Sequence, residues 1–246
     1  MSGDGYMPQA VGARTARAIE ARGLRPVVGD YARYGTGLLT GLPWTRRGSH
    51  GTFEFAGQRY DYLYHPYKRT WLTERAVEVP IARRLVERHA GRRILEVGNV
   101  LPHYGNHSHV VVDKYEQAPG VLNLDVAELG QLGEFDLVMS ISTVEHVGWD
   151  EEPRDPEKAI EAVAHLRRLV APGGTLLVTI PAGYHPHLDA ALRSRRLRFD
   201  QARALRRERI GPHWHEVAVD EIEGVSYDFL LYSARAVFVG VSERPA

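Results

Sequence analysis

The chain contains no cysteine. Disulfide staples, thiol nucleophiles, zinc–thiolate sites and iron–sulfur clusters are therefore excluded. An excess of one charge sign is missing too. Lys and Arg number 31, Asp and Glu number 31, and the formal net charge is zero. Such a balance provides no global basic field for nucleic acid and no polybasic membrane tether. Lysine is scarce: Lys68, Lys114 and Lys158 are the only three, and the remaining basic residues are arginines. No apolar run approaches the ~20 residues of a membrane span. Met1 to Ala10 lack the basic and apolar regions of a signal peptide, so a cytoplasmic protein is the expectation. No internal repeat or long low-complexity stretch occurs.

What is present is ordinary for a folded protein. The 246 residues are 43% hydrophobic and 25% charged, which fits one large α/β chain. Residues 1–90 read as an N-terminal helical and aromatic-rich cap, and residues 91–246 as the main catalytic domain. Residues 8–23 are Ala/Arg-rich and weakly helical, with Val11, Ala18 and Ile19 on a face suited to a homodimer contact. Seven of the 12 tyrosines precede residue 68: Tyr6, Tyr31, Tyr34, Tyr60, Tyr62, Tyr64 and Tyr67. Apolar and polar residues alternate from Thr52 to Tyr62 around Ala56-Gly57, which predicts a hairpin. Val77, Ile81, Leu85 and Val86 recur at helical spacing, predicting a helix over 70–89 that Pro80 bends or restarts.

From Arg93 the period changes. Short apolar strands are expected at 93–97, 109–113, 121–125, 136–141 and 175–180. A helix at 157–170 carries Ile160, Val163, Leu166, Leu169 and Val170 on one side and stops at Pro172-Gly173-Gly174. A helix near 187–196 and strands near 202–208 and 235–241 complete the chain. Apolar strands between helices and turns predict an α/β, doubly wound, mostly parallel, seven-stranded Rossmann-like sheet with a helical and hairpin lid.

Ligands of such sheets bind outside the carboxyl ends of the strands. Glu96, Gly98 and Asn99 follow the first strand, Asp113 and Lys114 the second, and Asp125 and Val126 the third. Ser142, Thr143, Glu145 and His146 follow the fourth, and Tyr184 follows the fifth. Acids at consecutive strand ends suit a ligand rich in donors, such as an adenosine.

The series Ile94-Leu-Glu-Val-Gly98, Val111-Val-Asp113, Asn123-Leu-Asp125, Phe135 through His146 and Leu169-Val-Ala-Pro-Gly-Gly-Thr175 resembles class I S-adenosylmethionine-dependent methyltransferases. The likeness covers about residues 90–245. The stretch from Tyr64 through Glu145-His-Val-Gly-Trp-Asp150 is similar to a bacterial subgroup of that family often encoded near glycan or secondary-metabolite genes. The resemblance implies S-adenosylmethionine as cofactor and S-adenosylhomocysteine as product. It puts Glu96 and Gly98 on the methionine side and Asp113 on the ribose hydroxyls, with Asn99 and Lys114 as further candidates for cofactor contact. It puts Asp125 and Val126 on the adenine, with Ser142 and Thr143 beneath the sulfonium. Arg75 is a candidate for the cofactor carboxylate, its alternative being an ion pair with Glu74 or Glu78. The chain departs from the family's glycine loop. Val100 and Pro102 stand where further glycines are usual, which weakens a dinucleotide reading more than this one.

His146 is the candidate base, with Glu145 orienting it or holding substrate. A divalent metal is the competing use of the pair, drawing on His103, His107, His109, His213 or His215; Mg is possible and not favoured, and no metal site is assigned. Tyr64, Tyr67, Trp71, Tyr184 and His213 are candidates for the acceptor site, with Tyr60 and Tyr62 beside them. Trp149-Asp150 reads as a surface loop, and His213 to Glu216 as a turn or an acceptor contact. Arg193, Arg195, Arg196, Arg198, Arg203, Arg206, Arg207 and Arg209 form a solvated face or a site for an anionic acceptor. The expected function is methyl transfer to a small molecule. No Asn-Pro-Pro-aromatic tetrapeptide follows the fourth strand, which disfavours a nucleic-acid substrate. The alternatives are a non-catalytic cofactor-binding partner, a metal-assisted O-methyltransferase and a nucleotide-dependent oxidoreductase.

Overall fold

A computed structural model of the chain describes residues 11–208 and 213–246. Tyr6 and Arg209, and the segment Met1 to Ala10, lie outside the described residues. Two helices come first, α1 (Val11–Arg22) and α2 (Leu24–Gly41). The second was not expected from the sequence; only Val27, Asp30 and Gly41 are buried along it, so it shows no continuous apolar stripe. In α1, Ala18 and Ile19 are half-buried and Val11 is exposed. The expected hairpin forms from β1 (Ser49–Phe55) and β2 (Gln58–Leu63). Ala56 and Gly57 both take positive φ, as a tight hairpin turn demands. Next is α3 (Arg75–Arg88), which carries Pro80 inside it and starts five residues later than the spacing predicted.

The alternating part follows: β3 (Ile94–Val97), β4 (Val110–Val112), β5 (Val121–Leu122), β6 (Phe135–Ile141), α4 (Lys158–Arg168) and β7 (Val170–Pro181). Then come α5 (Pro186–Arg193), β8 (Gln201–Arg207), β9 (Trp214–Val217) and β10 (Ala236–Glu243). Strand β7 begins earlier than expected, because Val170 already pairs with Phe135, and Gly173 and Gly174 exchange hydrogen bonds with Arg244. Pro172-Gly173-Gly174 is thus within the strand rather than a stop before it.

Among the described residues the main sheet has eight strands, in the order β5-β4-β3-β6-β7-β10-β8-β9. The eighth, β9, corrects the expected seven: 214–217 is an edge strand, held by the hairpin through Tyr62 Oη, which accepts from Trp214 N–H at 2.8 Å. The first five strands in this order are parallel; β10, β8 and β9 join antiparallel. Side chains alternate between two cores. Ile94, Leu137, Met139, Ile141 and Val237 pack with Val77 and Ile81 of α3 and Phe53 and Tyr62 of the hairpin. Leu95, Val97, Val138, Leu176 and Val178 pack with Val163 and Leu166 of α4 and Leu188 of α5. Residues on either side of position 90 therefore share one core. Between β3 and β4, and between β5 and β6, the connections carry only single 3-10 segments, Leu101–Tyr104 and Val126–Leu132. No helix among the described residues is long and apolar enough to cross a membrane.

Candidate active site

Strand β3 has β4 on one side and β6 on the other, so the chain reverses direction of winding there. This is where open α/β sheets place ligands. The loops leaving β3 and β6 meet at that point. Gly98 has φ 94°, and a Cβ on it would lie 2.0 Å from Thr143 Oγ1. Only glycine satisfies both the backbone and the contact. Beyond Gly98 the loop turns inward. Val100 and Leu101 N–H groups each donate to Glu96 Oε1 at 2.8 Å, and His109 Nε2 lies 2.6 Å from Glu96 Oε2. Glu96 is fully buried, so its carboxylate shapes the loop from below rather than facing a ligand. This pinning sets the course of the loop at Val100 and Leu101. Asn99 donates its N–H to Asp113 Oδ2 at 3.2 Å, while its buried Oδ1 has no hydrogen-bond partner.

Asp113 is half-buried, and its Oδ1 accepts from the N–H groups of Tyr115 (2.9 Å) and Glu116 (2.8 Å). Asp125 caps the 126–132 segment by accepting from Ala127 N–H at 3.1 Å. Its Oδ2 also meets Lys114 Nζ at 2.8 Å and Lys158 Nζ at 3.1 Å, and both ammonium groups reach Glu151. Burial alone would raise the Asp125 pKa, but the lysines and the Ala127 N–H hold it down to about 2. Two of the three lysines in the chain thus close one ring across the β4, β5 and β6 loops. Val126 is buried beside it.

At the end of β6, Ser142 sits at φ 41°, a strained conformation for a residue with a side chain. Its N–H donates to Thr179, and its hydroxyl donates to the buried Glu78. Thr179 Oγ1 donates to the same Glu78 oxygen at 2.6 Å. Arg75 realises the alternative role. It pairs with Glu78 at 2.9 Å and donates to the carbonyls of Ile141 (3.0 Å) and Ser142 (3.3 Å). Ser142 and Arg75 therefore brace the strand end, and Thr143 is the residue presented to the Gly98 loop.

One turn later lies the candidate base, His146. His146 Nδ1 is 2.6 Å from Asp150 Oδ2, and Tyr184 Oη donates to the same oxygen at 2.6 Å. The imidazole is about half exposed. Burial works against its charged form, but the Asp150 hydrogen bond and the Glu145 charge outweigh this and raise its pKa above the usual histidine value. Neutral His146 keeps its proton on Nδ1, toward Asp150, which leaves the Nε2 lone pair as the proton acceptor. Glu145 is buried, with Oε1 3.7 Å from His146 Nε2 and Oε2 without a partner. Burial lifts its carboxyl to about 7, against the pull of His146. Asp150, expected only in a surface loop, is instead the group hydrogen-bonded to His146, a contact the sequence reading missed although a four-residue spacing separates the two.

The other predicted residues divide. Tyr184 is buried against His146, with ring centroids 4.7 Å apart. Tyr227 and Phe229, which the sequence reading missed, stand 5.0 Å and 5.4 Å from Tyr184. Gly183 permits this approach, because a Cβ there would lie 2.2 Å from the Val225 carbonyl oxygen. Tyr67 is partly exposed and stacks on His103 at 4.2 Å, near the Gly98 loop. Trp71 is buried, donates to the Gly37 carbonyl at 2.9 Å and stacks on Tyr64, so it fastens α2 and is not at the site. Tyr64 packs with it on the hairpin side. His213 is exposed beside the edge strand β9, three strands beyond β7, and is not brought to His146. The C-terminal arginines mostly meet protein partners: Arg193 with Glu223, Arg196 with Glu157, Arg203 with Glu216 and Arg207 with the Leu72 carbonyl. Among the described residues, no three His, Asp or Glu side chains gather in a metal-binding group.

No family model matches the sequence, and no curated protein matches it. Several solved structures are similar to it over part of the chain. A methyltransferase dependent on S-adenosylmethionine from Archaeoglobus fulgidus is 16% identical, with 67% of this chain and 91% of that chain covered and a TM-score of 0.40. The N-methyltransferase NodS of Bradyrhizobium japonicum is 15% identical, covering 70% and 97%, with a TM-score of 0.39. The 1,6-didemethyltoxoflavin-N1-methyltransferase of Burkholderia thailandensis is 13% identical, covering 80% and 100%, with a TM-score of 0.41. At these values the likeness carries no weight for function.

Proposed function

We propose that the chain transfers a methyl group from S-adenosylmethionine to a small-molecule acceptor. The observation that carries this is a pair of buried acceptor atoms without partners, Asn99 Oδ1 and Glu145 Oε2. They stand on the loops either side of the Gly98–Thr143 contact. Buried acceptors left open call for donors. S-adenosylmethionine brings an ammonium group, two ribose hydroxyls and an adenine amine, and it has no phosphate that would need the missing glycines. When bound, it supplies an activated methyl group.

Asn99 suits the ammonium. Asp113 accepts three N–H groups, and a carboxylate has about four lone-pair positions, so one remains for a ribose hydroxyl. Asp125 is pinned by Lys114 and Lys158, which leaves the apolar Val126 to face the adenine. Gly98 and Thr143 form the floor. Glu96, Ser142 and Arg75 hold that floor in place. His146 Nε2 takes a proton from the acceptor, and Asp150 steadies the imidazolium that results. Tyr184, Tyr227 and Phe229 make an aromatic wall suited to a flat ring. The zero net charge supports a small acceptor over nucleic acid. Thermal melting tests the reading: S-adenosylhomocysteine raises the melting temperature and NAD does not. A shift with NAD alone, or with neither, overturns it.

A further inference from the structure

A concavity lies between the β1–β2 hairpin and α3. Its volume is about 450 Å³, within the usual range for small-molecule sites. Three arginines line it, Arg47, Arg83 and Arg84. Among the described residues none of them makes an ion pair, whereas Arg75, Arg196, Arg203 and Arg244 each hold a carboxylate. Their planes are held by other means. Arg47 lies over Trp44 at 5.3 Å, Arg84 lies over Tyr60 at 5.1 Å, and Arg83 donates to the Tyr104 carbonyl. A guanidinium fixed on an aromatic face keeps its outer donors for an anion.

The inner end of the groove is aromatic. His65 and Tyr104 meet edge to face at 5.3 Å. His65 Nδ1 accepts from the Tyr67 N–H at 3.2 Å, so the neutral ring presents Nε2–H as a donor. Burial and the Arg83 charge both lower the His65 pKa, which keeps it neutral. Tyr104 is buried and is the partition toward Arg75, whose charge acts on its phenol. Two exposed acids, Asp61 and Glu87, also line the groove. They offset two of the three positive charges, so a polyphosphate is disfavoured and a single phosphate is suited.

We propose that this groove binds a phosphorylated ring compound, with the phosphate on Arg84, Arg83 and Arg47 and the ring toward His65 and Tyr104. None of Gly98, Thr143, His146 and Tyr184 lines this groove, and the binding does not rest on the methyl-transfer reading.

Phenyl phosphate is the probe, titrated calorimetrically into the full chain, with phenol and benzoate in parallel. Saturable binding of phenyl phosphate is expected, with phenol failing to bind and benzoate weaker. R47Q together with R84Q weakens phenyl phosphate about tenfold or more. R84K, which keeps the charge, loses less than R84Q. Affinity for S-adenosylhomocysteine stays unchanged in all of these variants, which separates failure of this groove from failure of the proposed cofactor site. Absence of phenyl phosphate binding, equal binding of phenol, tighter binding of benzoate, or an unaltered double variant overturns the proposal. R47Q alone guards the test, since Arg47 is exposed and its loss leaves the core intact.

Discussion

His146 Nδ1 lies 2.6 Å from Asp150 Oδ2, and that contact decides which imidazole nitrogen is free. With Asp150 on Nδ1, the base of the proposed reaction is Nε2. H146A is expected to lower turnover about a hundredfold or more for an acceptor that must lose a proton, with cofactor affinity intact. A fully active H146A removes His146 as the base.

The same contact sets a pH dependence. Asp150 and Glu145 raise the His146 pKa above its ordinary value, so activity climbs with pH as the ring loses its proton, in a range above that of a free histidine. D150N removes the raising hydrogen bond. The acid limb of kcat/KM then moves to lower pH, while the plateau falls because the tautomer is no longer held. Glu145, near 7, titrates together with His146, so the limb belongs to the pair. An acid limb that D150N leaves in place contradicts the assignment.

Gly98 and Thr143 leave no room for a methyl group between them. G98A combines overpacking with a positive φ and costs about 2–4 kcal/mol of stability. G98A with T143G recovers the overpacking part and keeps the backbone strain. Denaturant unfolding of the three proteins checks this, and a single variant as stable as wild type refutes the contact.

Asp113 is expected to contribute to cofactor affinity. D113A weakens binding of S-adenosylhomocysteine by on the order of 1–3 kcal/mol. Unaltered affinity in a folded variant, measured by calorimetry, refutes the ribose role.

His185 is fully buried, accepts the Leu188 N–H at 3.1 Å and has its pKa lowered to about 4, chiefly by burial. The folded chain therefore favours the neutral ring, while the unfolded chain takes up a proton below about 6.5. Its contribution is whole above that pH and fades as pH falls toward 4, by on the order of 3 kcal/mol. H185N keeps a capping side chain without this titration, and its stability declines less over the same interval. Parallel pH–stability curves for the two proteins contradict this.

The parallel core was legible because β3, β6 and the 176–180 part of β7 are buried on both faces and read as short, mostly apolar runs interrupted by single polar residues. The hairpin declared itself at Ala56-Gly57. Other parts were hidden for physical reasons. Helix α2 contains four glycines within 24–41, the last at its end, and buries little. Strand β9 is four residues of mixed polarity, ordered by the hairpin rather than by its own pattern. At the site, acids at strand ends marked the right loops but not their partners. Glu96 and Ser142 turn inward to His109 and Glu78, which no linear spacing reveals. Tyr227 reaches His146's neighbour Tyr184 only because Gly183 opens the space.

Calorimetric titration of the purified chain with S-adenosylhomocysteine, and separately with NAD, tests the central claim most directly. Saturable binding of S-adenosylhomocysteine that is lost or weakened in N99A and D113A, with no heat from NAD, is the predicted result. Binding of NAD alone, or S-adenosylhomocysteine affinity indifferent to both substitutions, would contradict it.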